Sequence, residues 1–137
     1  MDLPQLAAVL ASVLVAGVAL FQVALAAGAP YGEAVFGGKA PTEAGVLTGT
    51  FRALAVVQAL VLVLLAGILL ARADVVTTTL VSAGTLRWLI WVVFGFLVLN
   101  TAANLTAPHP IERWVMGPTT LVLSALTLII ALDTLPA

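Results

Sequence analysis

The sequence predicts an all-α integral membrane protein, a four-helix bundle of two transmembrane hairpins with an ordered, glycine-rich first loop. Four apolar runs, residues 3–27, 51–71, 88–106 and 114–132, contain almost no charge. Each approaches the ~20 residues a helix needs to cross a ~30 Å hydrocarbon layer. Hydrophobic residues make up 63% of the chain and charged residues 8%, where a soluble domain carries roughly 25% charge. In hydrocarbon the backbone must satisfy itself, which restricts spanning structures to helices and closed barrels.

The first helix is expected over residues 3–27. Pro4 suits its first turn, where a missing N–H is harmless, and Gly28-Ala29-Pro30 ends it. Ala24-Leu25-Ala26 has the small-x-small form of a leader cleavage site, but Asp2 replaces the usual basic start. The apolar stretch also exceeds the ~7 to 15 residues of a leader, so a retained helix is expected. The second helix, 50–72, has Thr48 or Thr50 as a cap and runs through Gln58 to Arg72. Gly84-Thr85 opens the third, 85–106, which stops before Pro108. The fourth, 110–133, begins at Pro110 behind His109, with Glu112 in its electropositive first turn. Trp88, Trp91 and Trp114 lie near run ends, as interfacial aromatic belts do. An even number of spans puts both termini on one side. Basic residues divide almost equally between the two ends, so the positive-inside rule selects no orientation.

Two stripes suggest how the helices meet. Ala8, Ser12 and Ala16 recur every four residues and permit close helix approach, while Thr120, Ser124 and Thr127 form a hydroxyl stripe suited to packing. Pro118 removes a backbone bond to the Trp114 carbonyl and should bend the fourth helix.

Composition also sets bounds on function. Four spans and their connections occupy nearly all of these 137 residues, so chemistry is expected within the membrane or at its surface. A net charge of −1 without a basic run suggests neither nucleic acid nor a polybasic lipid contact. There is no cysteine, and His109 is the sole histidine, a poor basis for a metal or haem site. It suits a cap on the fourth helix. No serine stands beside a base, and no catalytic residue or cofactor is assigned.

Sorting polar residues by depth gives the candidate site. Gln22 lies near the end of the first helix, Arg52 and Gln58 early in the second, Asn100 and Asn104 late in the third, and Glu112, Arg113 and Thr119 at the start of the fourth. All belong to the membrane half that carries loops 1 and 3. Gln58 and Asn100 lie about six residues inside their helix ends, or roughly 9 Å deep at 1.5 Å per residue, where an unpartnered amide is costly. These amides either tie helices to one another or line a polar pocket open to the loops. Loop 1, with Tyr31, Glu33, Phe36 and Lys39 among its glycines, suits a cap over that mouth better than a solvated linker. Tyr31 and Phe36 are expected to pack on the helix ends, and Tyr31 and Glu33 join the candidate ligand-binding residues.

A faint internal repeat relates the hairpins. Gln22 precedes Ala29-Pro30-Tyr31 by the interval at which Asn100 precedes Ala107-Pro108-His109. Glu33 and Phe36-Gly37 follow in one hairpin, Glu112 and Met116-Gly117 in the other, suggesting a parallel repeat with a site at its interface.

At Gly28-Ala29-Pro30-Tyr31-Gly32-Glu33, Gly37-Gly38-Lys39, Asn104-Leu105-Thr106 and Glu112-Arg113-Trp114 with Gly117-Pro118, the chain resembles a family of small four-helix bacterial membrane proteins without an assigned activity. Where Tyr31 stands, that family usually has Trp. The resemblance implies four spans in a bacterial cytoplasmic membrane and no particular reaction. The leading expectation is an oligomeric small-molecule binding or transport-type protein with its site at the loop 1 and loop 3 end. The alternatives are an accessory subunit packed against a larger membrane protein, and a membrane enzyme acting on lipid or quinone through Glu33, Arg52 or Glu112.

Overall fold

The computed structural model describes residues 1–133. It is an up-down-up-down bundle of α1 (Leu3–Ala27), α2 (Gly49–Arg72), α3 (Ala83–Leu105) and α4 (Gly117–Leu132), the last entered through a π-helical segment, Glu112–Met116. Four helical spans are long and apolar enough to cross a membrane. Within each span no more than 33% of the most apolar window is buried inside the bundle. The remainder presents side chains such as Leu20, Leu64, Leu99 and Leu121 outward, which only a hydrocarbon solvent leaves uncostly.

α1 packs most extensively on α2, and α3 on α4, forming the two hairpins; α1 and α4 close the ring, while the α2–α3 seam is the loosest between neighbours. The inward stripe of α1 is Ala8, Ala11, Val15 and Ala19, not the anticipated Ala8, Ser12 and Ala16, for Ala16 points outward. Steps of three and four follow the 3.6-residue turn, whereas a strict step of four drifts around the helix. On α4, Thr120, Ser124 and Thr127 are all buried. Ser124 Oγ lies 3.4 Å from Thr101 Oγ1 across the α3–α4 contact.

The helix ends have local explanations. Asp2 and Gln5 form a reciprocal capping box on α1, Gln5 N donating to Asp2 Oδ1 at 2.9 Å and Asp2 N to Gln5 Oε1 at 3.2 Å. This Asp-x-x-Gln signal is visible in the sequence. Gly28 ends α1 at φ +109. α3 begins two residues earlier than expected because Ser82 serves as its N-cap, accepting from Thr85 N. At α4, His109 Nδ1 accepts from Ile111 N at 3.2 Å. At the opposite end of the bundle, Arg72 donates through Nη2 to the Asp133 carbonyl at 2.6 Å, joining α2 to the end of α4.

Pro118 lies just after the π turn Glu112–Met116. The preceding π turn absorbs the disruption, with Gly117 N bonding to the Glu112 carbonyl and Pro118 placed in the first turn of α4, where it needs no donor. Thr119 Oγ1 donates to the Val115 carbonyl at 2.7 Å and Thr120 Oγ1 to the Met116 carbonyl at 2.9 Å.

Loop 1 is folded. Two 3-10 turns, Gly32–Ala34 and Phe36–Gly38, lead into a hairpin of β1 (Thr42–Glu43) and β2 (Val46–Leu47). At its tip, Ala44 and Gly45 both have positive φ, +51 and +83, as a type I′ turn demands. Gly32 donates to the Gly45 carbonyl at 2.8 Å. A Cβ on Gly32 would stand 2.8 Å from that same oxygen and 2.9 Å from the Leu47 and Thr42 side chains. Leu25, Val35, Ala40, Leu47 and Ala55 form a small core beneath the loop, flanked by Phe36 and Phe51. The two rings meet edge-to-face at 5.4 Å.

Reporter fusions at Met1 and Ala137 are expected to read the same compartment; opposite compartments would contradict the bundle. Gly32→Ala should lower the detergent-solubilised protein's stability by about 1–3 kcal/mol, as overpacking does. Ala44→Asn should raise it by about 1 kcal/mol by relieving a left-handed alanine. Thermal unfolding of the two variants checks both signs.

Candidate functional site

A cavity of about 330 Å³ lies at the loop 1 and loop 3 end of the bundle. All four helical spans and loop 1 contribute to it. α1 supplies Val18 and Gln22, one turn apart; α2 supplies Gln58 and Leu62, also one turn apart. α3 contributes Phe96, Leu97, Asn100, Ala103 and Asn104, and the fourth span Glu112, Met116, Thr120 and Leu123. Loop 1 closes the end with residues 34–37. The wall is mainly apolar, with a few convergent amides and one carboxyl group, the usual make-up of a small-molecule pocket.

Five sequence-derived candidates, Gln22, Gln58, Asn100, Asn104 and Glu112, line this one cavity. The amides do not pair with one another. Asn100 Nδ2 donates to the Phe96 carbonyl of its own helix at 2.9 Å. Asn104 Nδ2 reaches Thr120 Oγ1 at 3.4 Å, linking α3 to α4. Gln22 is 6% exposed, and its Oε1 is buried without a hydrogen-bond partner.

Glu112 is the most constrained member. It is 7% exposed, an unusual state for a carboxyl group at the start of a helix. The π turn that begins at Glu112 fixes the phase of this segment, and Glu112, Met116 and Thr120 descend one wall of the cavity. Gly37 N donates to Glu112 Oε1 at 3.1 Å, across 75 positions of sequence. Glu112 Oε2 is buried and unpartnered. A single backbone donor leaves much of the carboxyl group's hydrogen-bonding capacity unused.

The other four candidates lie elsewhere. Arg52 Nε donates to the Ala26 carbonyl at 2.8 Å, and Arg113 Nε to the Ala107 carbonyl at 2.9 Å. Each arginine therefore satisfies a carbonyl where the preceding helix ends, a favourable place for a cation. Tyr31 is 52% exposed rather than packed on the helix ends. Glu33 and Lys39 are also exposed. The 3-10 turns direct Ala34, Val35 and Phe36 toward the bundle and leave Tyr31, Glu33 and Lys39 on the outer side.

Loop 1's contribution through the Gly37 backbone escapes residue-type reasoning, since glycine carries no side-chain signal. Thr120 and Met116 were available as members of the Glu112 face, at steps of four. Among the described residues, no group of three or more His, Cys, Asp or Glu side chains is arranged to hold a metal ion. Comparison with protein-family models, curated proteins and solved structures finds no match for this chain.

Glu112→Ala is expected to speed amide exchange at Gly37 by about tenfold, corresponding to loss of a hydrogen bond worth about 1.4 kcal/mol. Exchange of the Ala44 and Gly45 amides, at the hairpin tip, should change little. Unchanged protection at Gly37 would show that the loop is held without the carboxyl group.

Proposed function

We propose that this chain is a membrane-embedded small-molecule binding protein of the transport type, with the cavity between loop 1 and the four spans as its site. The observation that carries the reading is the coexistence, in one apolar-walled cavity, of two nearly fully buried side chains with unmatched acceptor atoms, Gln22 Oε1 and Glu112 Oε2. A polar atom withdrawn from water without a partner is destabilising. A site that receives a ligand accounts for that cost, because the ligand restores the missing bonds. A cross-brace alone accounts for it less well, since Asn104, the amide that does link two helices, has its partner within the protein.

The cavity volume of about 330 Å³ falls at the lower end of the ~300–1,000 Å³ range of ligand pockets, which favours a small occupant over a complete lipid. In keeping with the resemblance in its loop and helix-start residues, we assign the protein to a bacterial cytoplasmic membrane.

Native mass spectrometry of protein extracted in mild detergent tests the reading. A small molecule retained at a fixed ratio by wild-type protein, and lost from Ala103→Trp, is the expected result. The tryptophan is directed into the lining from a surface-exposed position, where folding should tolerate it. Co-purification of a larger protein, with no small molecule, would favour an accessory-subunit role; the same spectra count the copies per particle.

A further inference from the structure

Resting on the cavity as a binding site, we infer that its ligand is an organic ammonium, a protonated primary or secondary amine carried on a small apolar body. The inference starts from the oxygens of the lining that are buried without a partner. Asn100 and Asn104 each commit one side-chain N–H, to Phe96 O and to Thr120 Oγ1. The Thr120 hydroxyl is committed to the Met116 and Gly117 carbonyls, at 2.9 and 3.0 Å. The unmatched buried atoms of the lining are both oxygens, Gln22 Oε1 and Glu112 Oε2. The lining amides keep N–H groups of their own, and what these two oxygens call for is a donor.

Charge narrows the class further. The carboxylate form of Glu112 receives one backbone N–H, while the two arginines at this end are engaged by Ala26 and Ala107 carbonyls. An ionised carboxylate without a counter-ion is expensive to bury, and a cation seated beside it restores the balance. Ammonium N–H groups also supply charge-assisted bonds to Oε2 and an additional bond to an amide oxygen. Phe36 and Phe96 line the same space, and aromatic rings tolerate a cation at close range better than aliphatic walls do.

The apolar body follows from position. The exposed members of the lining, Phe96 and Ala103, belong to α3, beside the loosely packed seam with α2. On that side the cavity meets the surface that faces lipid. An amphiphilic amine dissolved in the membrane interface has both the charged head that Glu112 requires and the body that this side accommodates.

Titration calorimetry in a zwitterionic detergent, with phenethylammonium, 2-phenylethanol and phenylacetate as probes, tests the inference. Phenethylammonium should bind at least tenfold more tightly than the alcohol, and phenylacetate should not bind. Glu112→Gln should reduce ammonium affinity by at least tenfold while sparing the alcohol, and Glu112→Asp, which retains the charge, should lose less. The aspartate variant also keeps the comparison usable if the glutamine variant fails to fold. Ala103→Trp should abolish binding of both the amine and the alcohol. Equal affinity for amine and alcohol, or full ammonium affinity in Glu112→Gln, would overturn the ammonium class and leave the cavity as a site for neutral molecules. Ammonium binding unaffected by Ala103→Trp would place the amine outside the cavity and overturn the cavity reading as well. Failure of phenethylammonium to bind would overturn the ammonium class, with the retained-molecule measurement deciding the cavity separately.

Discussion

Exclusion of water from the outer faces of the helices governs the whole arrangement. Along α3 and α4, several hydroxyl groups turn back to their own backbone, as Thr101 does to the Leu97 carbonyl and Ser124 to the Thr120 carbonyl. Such bonds make a hydroxyl acceptable in hydrocarbon. The longer amides and the one carboxyl group of the fourth span cannot all be satisfied in that way. They collect where α1, α2, α3 and the start of the fourth span surround a common space. The cavity and its chemistry are thus two results of the same solvent constraint.

Each hairpin also solves the problem of its exposed helix-end carbonyls by the same device. α1 ends beneath Arg52 from the start of α2, and the turn after α3 is held by Arg113 from the start of the fourth span. The faint sequence repeat thereby acquires structural content. Gln22 and Asn100 both line the cavity, and so do Phe36-Gly37 and Met116. The correspondence breaks at the glutamates: Glu33 is exposed and Glu112 buried. One hairpin contributes a folded loop over the mouth, and the other contributes a carboxyl group beneath it.

The spans were legible because bilayer thickness imposes a length that irregular sequence rarely sustains by chance. Depth alone was enough to associate Gln22, Gln58, Asn100, Asn104 and Glu112, since residues at similar distances from helix ends come to similar levels in an antiparallel bundle. The roles of Arg52 and Arg113 could have been inferred from the unsatisfied carbonyls at helix C-termini. Tyr31 and Glu33 were harder, because the inward or outward choice in a loop depends on 3-10 turns and a β-hairpin rather than on one sustained periodicity. The hairpin did leave a signal, a glycine at its tip between Thr42-Glu43 and Val46-Leu47. The π turn had little beyond Gly117-Pro118 to announce it, and it is this turn that establishes the phase of Glu112.

The division of the cavity wall between the hairpins also orders its appearance during synthesis. Within the first 72 residues, the α1–α2 unit possesses its own arginine tether, β-hairpin and apolar sub-core. Gly37 nevertheless lacks its Glu112 acceptor until the fourth span arrives. Helical hairpins form their internal backbone bonds before packing laterally in the bilayer, so an inserted first hairpin is a stage of assembly with a capped loop and no enclosed cavity. Docking of the second hairpin, rather than membrane insertion itself, is the event that encloses the cavity.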